Sequence, residues 1–231
     1  MESCGISYKI NRSTAPVYDC LVIKPQWKAD TMQKEFISIA AHELKTPIQA
    51  ILGMSGLLKY YPEKTDQVIS RNAIRLQRLS AHILDATRIE SQTLKLDKER
   101  FDIRNLISTI IEDYKERIKD TTNNRVELIY NDNFNISHAI IVEADKERIN
   151  QVISNLLSNS IQFTNHGHIS LEMATSDQNN EVIVTVRDTG KGINPEIKPR
   201  LFSKFVTRSL QGTGLGLFIS KNIIESHGGK I

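Results

Sequence analysis

The stretch Phe36-Ile-Ser-Ile-Ala-Ala-His42-Glu43-Leu44-Lys45-Thr46-Pro47 decides how the front of this chain folds. Around it Ile37, Ala40, Leu44, Ile48, Ile51, Met54 or Ser55 and Leu58 recur at steps of three and four, the apolar stripe of an amphipathic helix that begins near Lys28. His42 falls with Glu35, Ser38, Lys45, Thr46 and Gln49, away from that stripe, so its imidazole is expected to face water. Imidazole is partly neutral and nucleophilic near physiological pH, which makes an exposed one chemically interesting. Pro47 removes a backbone N–H and is expected to bend the helix just beyond it. Taken alone, such a His is an ordinary helix surface residue.

Working outward, Tyr60-Tyr-Pro-Glu-Lys-Thr65 breaks the pattern. A second helix is predicted beyond it, with Val68 or Ile69, Ala73, Leu76, Leu79 or Ser80, Ile83, Ala86 or Thr87 and Glu90 at a near-heptad step. Two such helices make an antiparallel hairpin, too small to hide a stable core by itself. A partner is implied: either a second copy, giving a two-fold four-helix bundle, or the chain's own C-terminal domain. The near-heptad step of both stripes favours the homodimer. Residues 1–27 carry neither a helical period nor a motif and read as a linker or the remnant of an upstream module.

Beyond a connector, Leu94 to Arg100, the pattern becomes mixed α/β. Strands are predicted at Phe101–Ile103, Val126–Tyr130, Ala139–Glu143, Ile169–Ala174 and Glu181–Arg187, and helices at Leu106–Ile118, Asp145–Gln162 and Leu215–His227. The second helix has an acidic cap and the third closes on Gly228-Gly229. Lys230-Ile231 would then begin a further strand. The fold class is thus an all-α hairpin over 28–93, followed by an α+β sandwich over 94–231.

Bulk properties exclude several functions. Against 27 acidic side chains the 231 residues carry 30 basic ones with no Lys/Arg block, so nucleic acid is not an expected partner. Cys4 and Cys20 lack metal-ligand or redox spacing, which suits a reducing, cytoplasmic compartment. No apolar run reaches the roughly 20 residues of a membrane helix, so no membrane contact is expected of this chain itself.

Three further motifs have the chemistry of a nucleotide pocket. Asn155-Leu-Leu-Ser-Asn159 places two carboxamides four residues apart on one helical face, able to reach one Mg²⁺–triphosphate group. Asp188-Thr-Gly190-Lys-Gly192 follows an apolar strand, where a carboxylate can accept a hydrogen bond from the exocyclic amine of adenine. Gly212-Thr-Gly214-Leu-Gly216 opens a helix whose free N–H groups suit phosphate. Between the glycine motifs, Leu201-Phe202-Ser-Lys204-Phe205 reads as a mobile lid pinned by two aromatics. His166-Gly-His168 reads as a polar turn, and His82, His138 and His227 show no partner in the sequence.

In this order the four motifs resemble the transmitter region of the sensor histidine kinases, over about Lys28 to Ile231. The resemblance implies a homodimer that phosphorylates His42 from ATP and passes the phosphoryl group to an aspartate of a response-regulator receiver domain. It implies that Glu43 accepts a proton from the other ring nitrogen. Thr46 would position water for dephosphorylating the partner, Asn159 would ligate Mg²⁺ directly and Asn155 would assist. An Asn at 155, where gyrase-type and chaperone ATPases have a Glu, disfavours hydrolysis. Two positions depart from the family: Gln162 stands where Lys is usual and Thr207 where a basic residue is, leaving Lys204 or Arg208 to supply charge to phosphate. Those departures keep a second reading open, a kinase-inactive dimeric scaffold or regulator-binding phosphatase. Family transmitters often form the C-terminal part of membrane-anchored receptors and carry further strands after the last helix. The ATP-binding domain must swing onto His42, with the Leu94–Arg100 connector as hinge.

Overall fold

The computed structural model describes residues 6–7, 22–23, 27–122, 125–132, 139–176, 181–206 and 213–231. They fall into two compact units divided between Leu79 and Ser80, inside the second long helix and ahead of the 93/94 boundary that the sequence suggests.

The first unit opens with a strand pair in the region read as patternless: β1 (Ile6–Ser7) lies antiparallel to β2 (Val22–Ile23). Helix α1 (Trp27–Ser55) carries the first stripe and stops short of Leu58. Helix α2 (Pro62–Glu90) begins inside the stretch expected to be a break. The reason is that a proline at the first helical position gives up an N–H the first turn does not use, while its fixed φ already suits a helix. The Thr65 N–H donates to the Tyr61 carbonyl (3.1 Å), closing that turn. Ala40, Pro47, Thr65 and Leu79 are buried, whereas Ile37 (59% exposed), Ile48 (41%), Leu52 (66%) and Ile74 (49%) remain open to solvent. One hairpin therefore does not cover its own apolar faces.

The second unit takes the end of α2, then β3 (Glu99–Asp102), α3 (Ile103–Thr122), β4 (Val126–Asp132), β5 (Ile141–Ala144), α4 (Lys146–Phe163), β6 (Gly167–Ser176), β7 (Glu181–Asp188) and α5 (Gly216–Ser226). The strands and helices predicted between Phe101 and His227 are all present with shifted ends, whereas Lys230-Ile231, expected to begin a further strand, are not in one. The largest shift is in α3, which starts at Ile103 because the Asp102 carboxylate accepts the Arg104 N–H (3.1 Å) and thereby caps it. β3 pairs antiparallel with β5; β6 runs parallel to β4 on one side and antiparallel to β7 on the other. The core gathers Ile107, Ile110, Ile111 and Tyr114 of α3, Ile153 and Leu157 of α4, and Ile169, Leu171 and Met173 of β6, the last three at the two-residue period of a strand. The Tyr114 hydroxyl bonds α3 to α4 through the Ser154 carbonyl (3.0 Å) and Ser158 Oγ (2.8 Å). Among the described residues no helix is long and apolar enough to cross a membrane.

The C-terminal ends of α2 and α5 have explicit caps. α2 finishes with the Thr93 N–H on the Arg88 carbonyl (2.8 Å) and Gln92 in the left-handed region at φ 54. α5 finishes on Gly228 at φ 82, with the Gly229 N–H on the Ile224 carbonyl (2.9 Å), as Gly228-Gly229 suggested.

Three segments converge at Asp145, the buried N-cap of α4. Its Oδ1 accepts the Arg148 N–H (3.0 Å) and its Oδ2 the Asp97 N–H of the connector (3.0 Å). Its own N–H donates to Nε2 of His227 (3.0 Å), the residue after α5. A backbone N–H can only donate, so Nε2 must be the bare nitrogen and Nδ1 carries the hydrogen toward the Ile223 carbonyl (2.8 Å). Asp145→Ala removes a cap and a second charge-assisted bond and is expected to lower unfolding stability by about 2–4 kcal/mol. Urea unfolding read by circular dichroism checks this, and a loss below about 0.5 kcal/mol, the scale of an ordinary surface substitution, would contradict it.

Candidate functional site

The functional side chains form two clusters, one in each unit. In the first, the His42 side chain stands 79% exposed on α1, so its outward position follows the stripe as expected. Its Nδ1 lies 3.9 Å from Oε1 of Glu43, close but longer than a hydrogen bond. The other Glu43 oxygen, Oε2, accepts from an Nη2 hydrogen of Arg75 on α2 at 3.1 Å. Thr46 is exposed on the same face, its hydroxyl donating to the His42 carbonyl (3.4 Å). Pro47 is fully buried and cannot donate to the carbonyl one turn back, that of Glu43.

In the second unit α4 carries Asn155 and Asn159, both half-buried. The Asn155 carboxamide nitrogen donates to the Gly216 carbonyl (3.4 Å) and Ser220 Oγ (3.3 Å) of α5. Asn155 thus joins two helices, and its carboxamide lies where a Cβ added at Gly216 would meet it at ordinary contact distance, 3.6 Å.

Asp188 ends β7. Its Oδ1 accepts the Gly190 N–H (2.9 Å) and its Oδ2 accepts from Ser160 Oγ on α4 (3.2 Å). Each carboxylate oxygen has a second lone pair, so the group is oriented and can still accept another donor. Gly190 passes so close to the end of α4 that a Cβ there would sit 2.5 Å from the Phe163 carbonyl oxygen and 2.9 Å from Asp188 Oδ1. Gly192 follows at φ 70.

The lid stretch is a tight turn after a 3-10 segment, Lys198–Arg200. Lys204 pairs with Glu90 of α2 and lies 5.1 Å from the centre of the Phe218 ring. Burial lowers the Lys204 ammonium's pKa from its ordinary value, and the Glu90 carboxylate acts in the opposite sense. Phe205 adopts the left-handed region at φ 61 and its N–H donates to the Gly214 carbonyl (2.9 Å). Gly214 sits at φ 64, where a Cβ would meet the Phe205 backbone at 2.6 Å. Arg208 and Gly212, like Thr207 and His138, lie outside the described residues.

Several participants carry no motif in the sequence. Arg75, Ser160 and Glu90 act on Glu43, Asp188 and Lys204. His82 and His227 do have partners, Thr213 Oγ1 (3.3 Å) and the Asp145 N–H. His166 is exposed in the bend before β6, whereas His168, expected in a polar turn, is exposed on β6 itself, paired with Glu127 of β4. Asp85 on α2 is buried and accepts from Arg148 Nη1 at 2.8 Å on both oxygens and from Gln151 (2.8 Å), a charge paired as burial demands. A cavity of about 390 Å³ beside this cluster is lined by Ala81, Leu84, Asp85, Arg88, Glu147, Arg148 and Gln151, none of them a residue of the predicted nucleotide site.

Among the described residues no group of three His, Cys, Asp or Glu is placed to hold a metal ion. The carboxamides of Asn155 and Asn159, half-buried on one face of α4, are oxygen donors of the kind Mg²⁺ takes alongside phosphates.

Two family models match the chain. His Kinase A (phospho-acceptor) domain covers residues 32–92, and Histidine kinase-, DNA gyrase B-, and HSP90-like ATPase covers 144–231. The Sensor protein SrrB of Staphylococcus aureus (strain NCTC 8325 / PS 47) is 33% identical over 215 residues, taking in 87% of this chain and 36% of the relative. The chain therefore spans about a third of that relative's length. The histidine kinase AdeS of Acinetobacter baumannii has a similar structure (TM-score 0.62, 24% identity, 80% of this chain and 86% of that one). So does the histidine kinase ThkA, solved in complex with the response regulator protein TrrA (TM-score 0.59, 27% identity, 91% of this chain and 64% of that one).

Gly190→Ala is expected to cost about 1–3 kcal/mol through forced backbone movement, and Gly192→Ala about 1–2 kcal/mol through its φ alone. Urea unfolding of the two variants measures this; unchanged midpoints would mean the loop yields freely.

Proposed function

The chain belongs to the sensor histidine kinases, as a transmitter region in which a phospho-acceptor domain precedes an ATPase domain of the kinase, gyrase B and HSP90 type, and from that premise we propose that it phosphorylates its own His42 from Mg²⁺-ATP. The observation that carries the proposal is the exposed imidazole with a carboxylate beside Nδ1, which leaves Nε2 free to attack. Asn159 would hold the cation and Asp188, oriented by Ser160 and Gly190, would accept from the adenine amine. The Gly214–Gly216 backbone at the start of α5 would receive phosphate. Asn155, an amide engaged with α5, offers no base to activate water, so the γ-phosphoryl group is kept for the imidazole.

The chemistry is mostly placement and charge neutralisation. Nε2 forms the N–P bond as the bond from γ-phosphorus to the bridging oxygen breaks, its electron pair leaving with ADP. The phosphoryl group then passes to an aspartate of a response-regulator receiver domain, the kind of partner with which ThkA was solved. Thr46, exposed one turn from His42, would position water for hydrolysing the phosphoaspartate of that partner, releasing inorganic phosphate. The open Ile37, Ile48, Leu52 and Ile74 side chains favour a two-fold homodimer through the hairpin. Lys204, held by Glu90, is the observation that keeps the kinase-inactive scaffold in view.

Incubation with γ-labelled ATP tests the reading. The expected result is an acid-labile, alkali-stable label on the protein that is lost in His42→Gln. A scaffold would take no label, and a hydrolase would release free phosphate from unlabelled protein. For the homodimer, Leu52→Asp is expected to weaken self-association at least tenfold, about 1.4 kcal/mol, since it places a charge where a fully buried leucine gives about 1.5–3 kcal/mol. Sedimentation equilibrium reads this, and an unchanged association constant would remove the hairpin from the interface.

A further inference from the structure

We propose that Arg75 is a positioning residue for phosphoryl transfer, aiming the Glu43 carboxylate at the His42 imidazole from the neighbouring helix. The inference rests on His42 being the phospho-acceptor. Adjacent residues on a helix do not face each other, so nothing local keeps the Glu43 side chain beside His42. The structure supplies a constraint from α2: an Arg75 Nη2 hydrogen is donated to Glu43 Oε2 at 3.1 Å, with both side chains only 24% exposed. A carboxylate is flat and rigid. Holding Oε2 on the α2 side leaves Oε1 as the oxygen near the ring, 3.9 Å from Nδ1.

The reacting ring starts neutral, with its hydrogen on Nδ1 and its lone pair on Nε2. As Nε2 bonds to phosphorus and ADP leaves, positive charge grows on the imidazole and the Nδ1 hydrogen is drawn toward Glu43 Oε1. That hydrogen bond must tighten by about 1 Å in the reacting complex, which is ordinary for catalytic contacts seen without substrate. A wandering carboxylate would form it rarely, and misplacement of this size commonly costs about tenfold to a hundredfold in rate. Arg75 touches neither nucleotide nor the reacting atoms in this scheme, so its loss should leave ATP binding intact.

Arg75→Gln, Arg75→Lys, Glu43→Gln and the double variant Glu43→Gln/Arg75→Gln are compared in the label-incorporation assay over a range of ATP concentrations. Positioning predicts a drop of about tenfold to a hundredfold in the saturating rate for Arg75→Gln with KM unchanged, and partial recovery in Arg75→Lys. It also predicts a double variant no slower than Glu43→Gln, because Arg75 has nothing left to aim. In parallel, side-chain NMR couplings of ¹³C-labelled glutamate report whether Glu43 keeps one rotamer. They should show a single rotamer in the parent, averaging in Arg75→Gln and recovery in Arg75→Lys. A rise in KM at constant rate, multiplicative losses in the double variant, or an unchanged Glu43 rotamer in Arg75→Gln would each overturn the proposal. If the parent protein takes no label but Glu43 loses its rotamer in Arg75→Gln, the kinase reading falls while the positioning contact is upheld.

Discussion

The second unit depends on the carboxylate of Asp145 more than on any other polar group. It is buried, and what makes that tolerable is that its oxygens receive N–H groups from two different segments. One of them starts α4, which fixes the rotation of the helix and hence the face on which Asn155, Asn159 and Ser160 stand. The other holds the connector at Asp97, flanked by the half-buried Leu94 and Leu96. Through its N–H and His227 the same residue fastens the end of α5, whose beginning is bonded to Asn155. The site is thus braced at both ends of α5 from α4 alone.

Helix α2 serves both units. It supplies Arg75 to the cluster around His42 in one, and Asp85, Glu90 and His82 to polar clusters in the other. Arg75, Asp85 and Glu90 each meet an opposite charge and His82 a hydroxyl, partly or wholly out of water, where such contacts are worth more than on an open surface and an unmatched charge costs more. The sequence of α2 alternates accordingly between apolar positions and charged ones, with no segment given over to either.

What could be read from the sequence was whatever a short window determines. The 3-and-4 spacing from Ile37 to Ile51 placed His42 outward, the acidic Asp145 marked the start of α4, and Gly228-Gly229 marked the end of α5. Windows mislead where one residue type has two meanings: Pro62 looks like a breaker and is the first residue of a helix, and β-branched Ile103 looks like strand and is the first residue of α3. They were blind to pairs closed by tertiary structure. Arg75 lies 32 residues from Glu43, Asp188 28 residues from Ser160, Asp85 63 from Arg148 and His227 82 from Asp145. No periodicity connects such positions. Ser160 left one faint trace, a small hydroxyl at a spacing from Ile153 and Leu157 that belongs to the buried face.

The bond from the Phe205 N–H to the Gly214 carbonyl ties together the two ends of the segment between them, and the close backbone approach at Gly214 holds that knot shut. A side chain at position 214 would have to push the Phe205 turn away from the start of α5, so a hydrogen atom in place of a methyl group is what lets these two elements share one backbone contact.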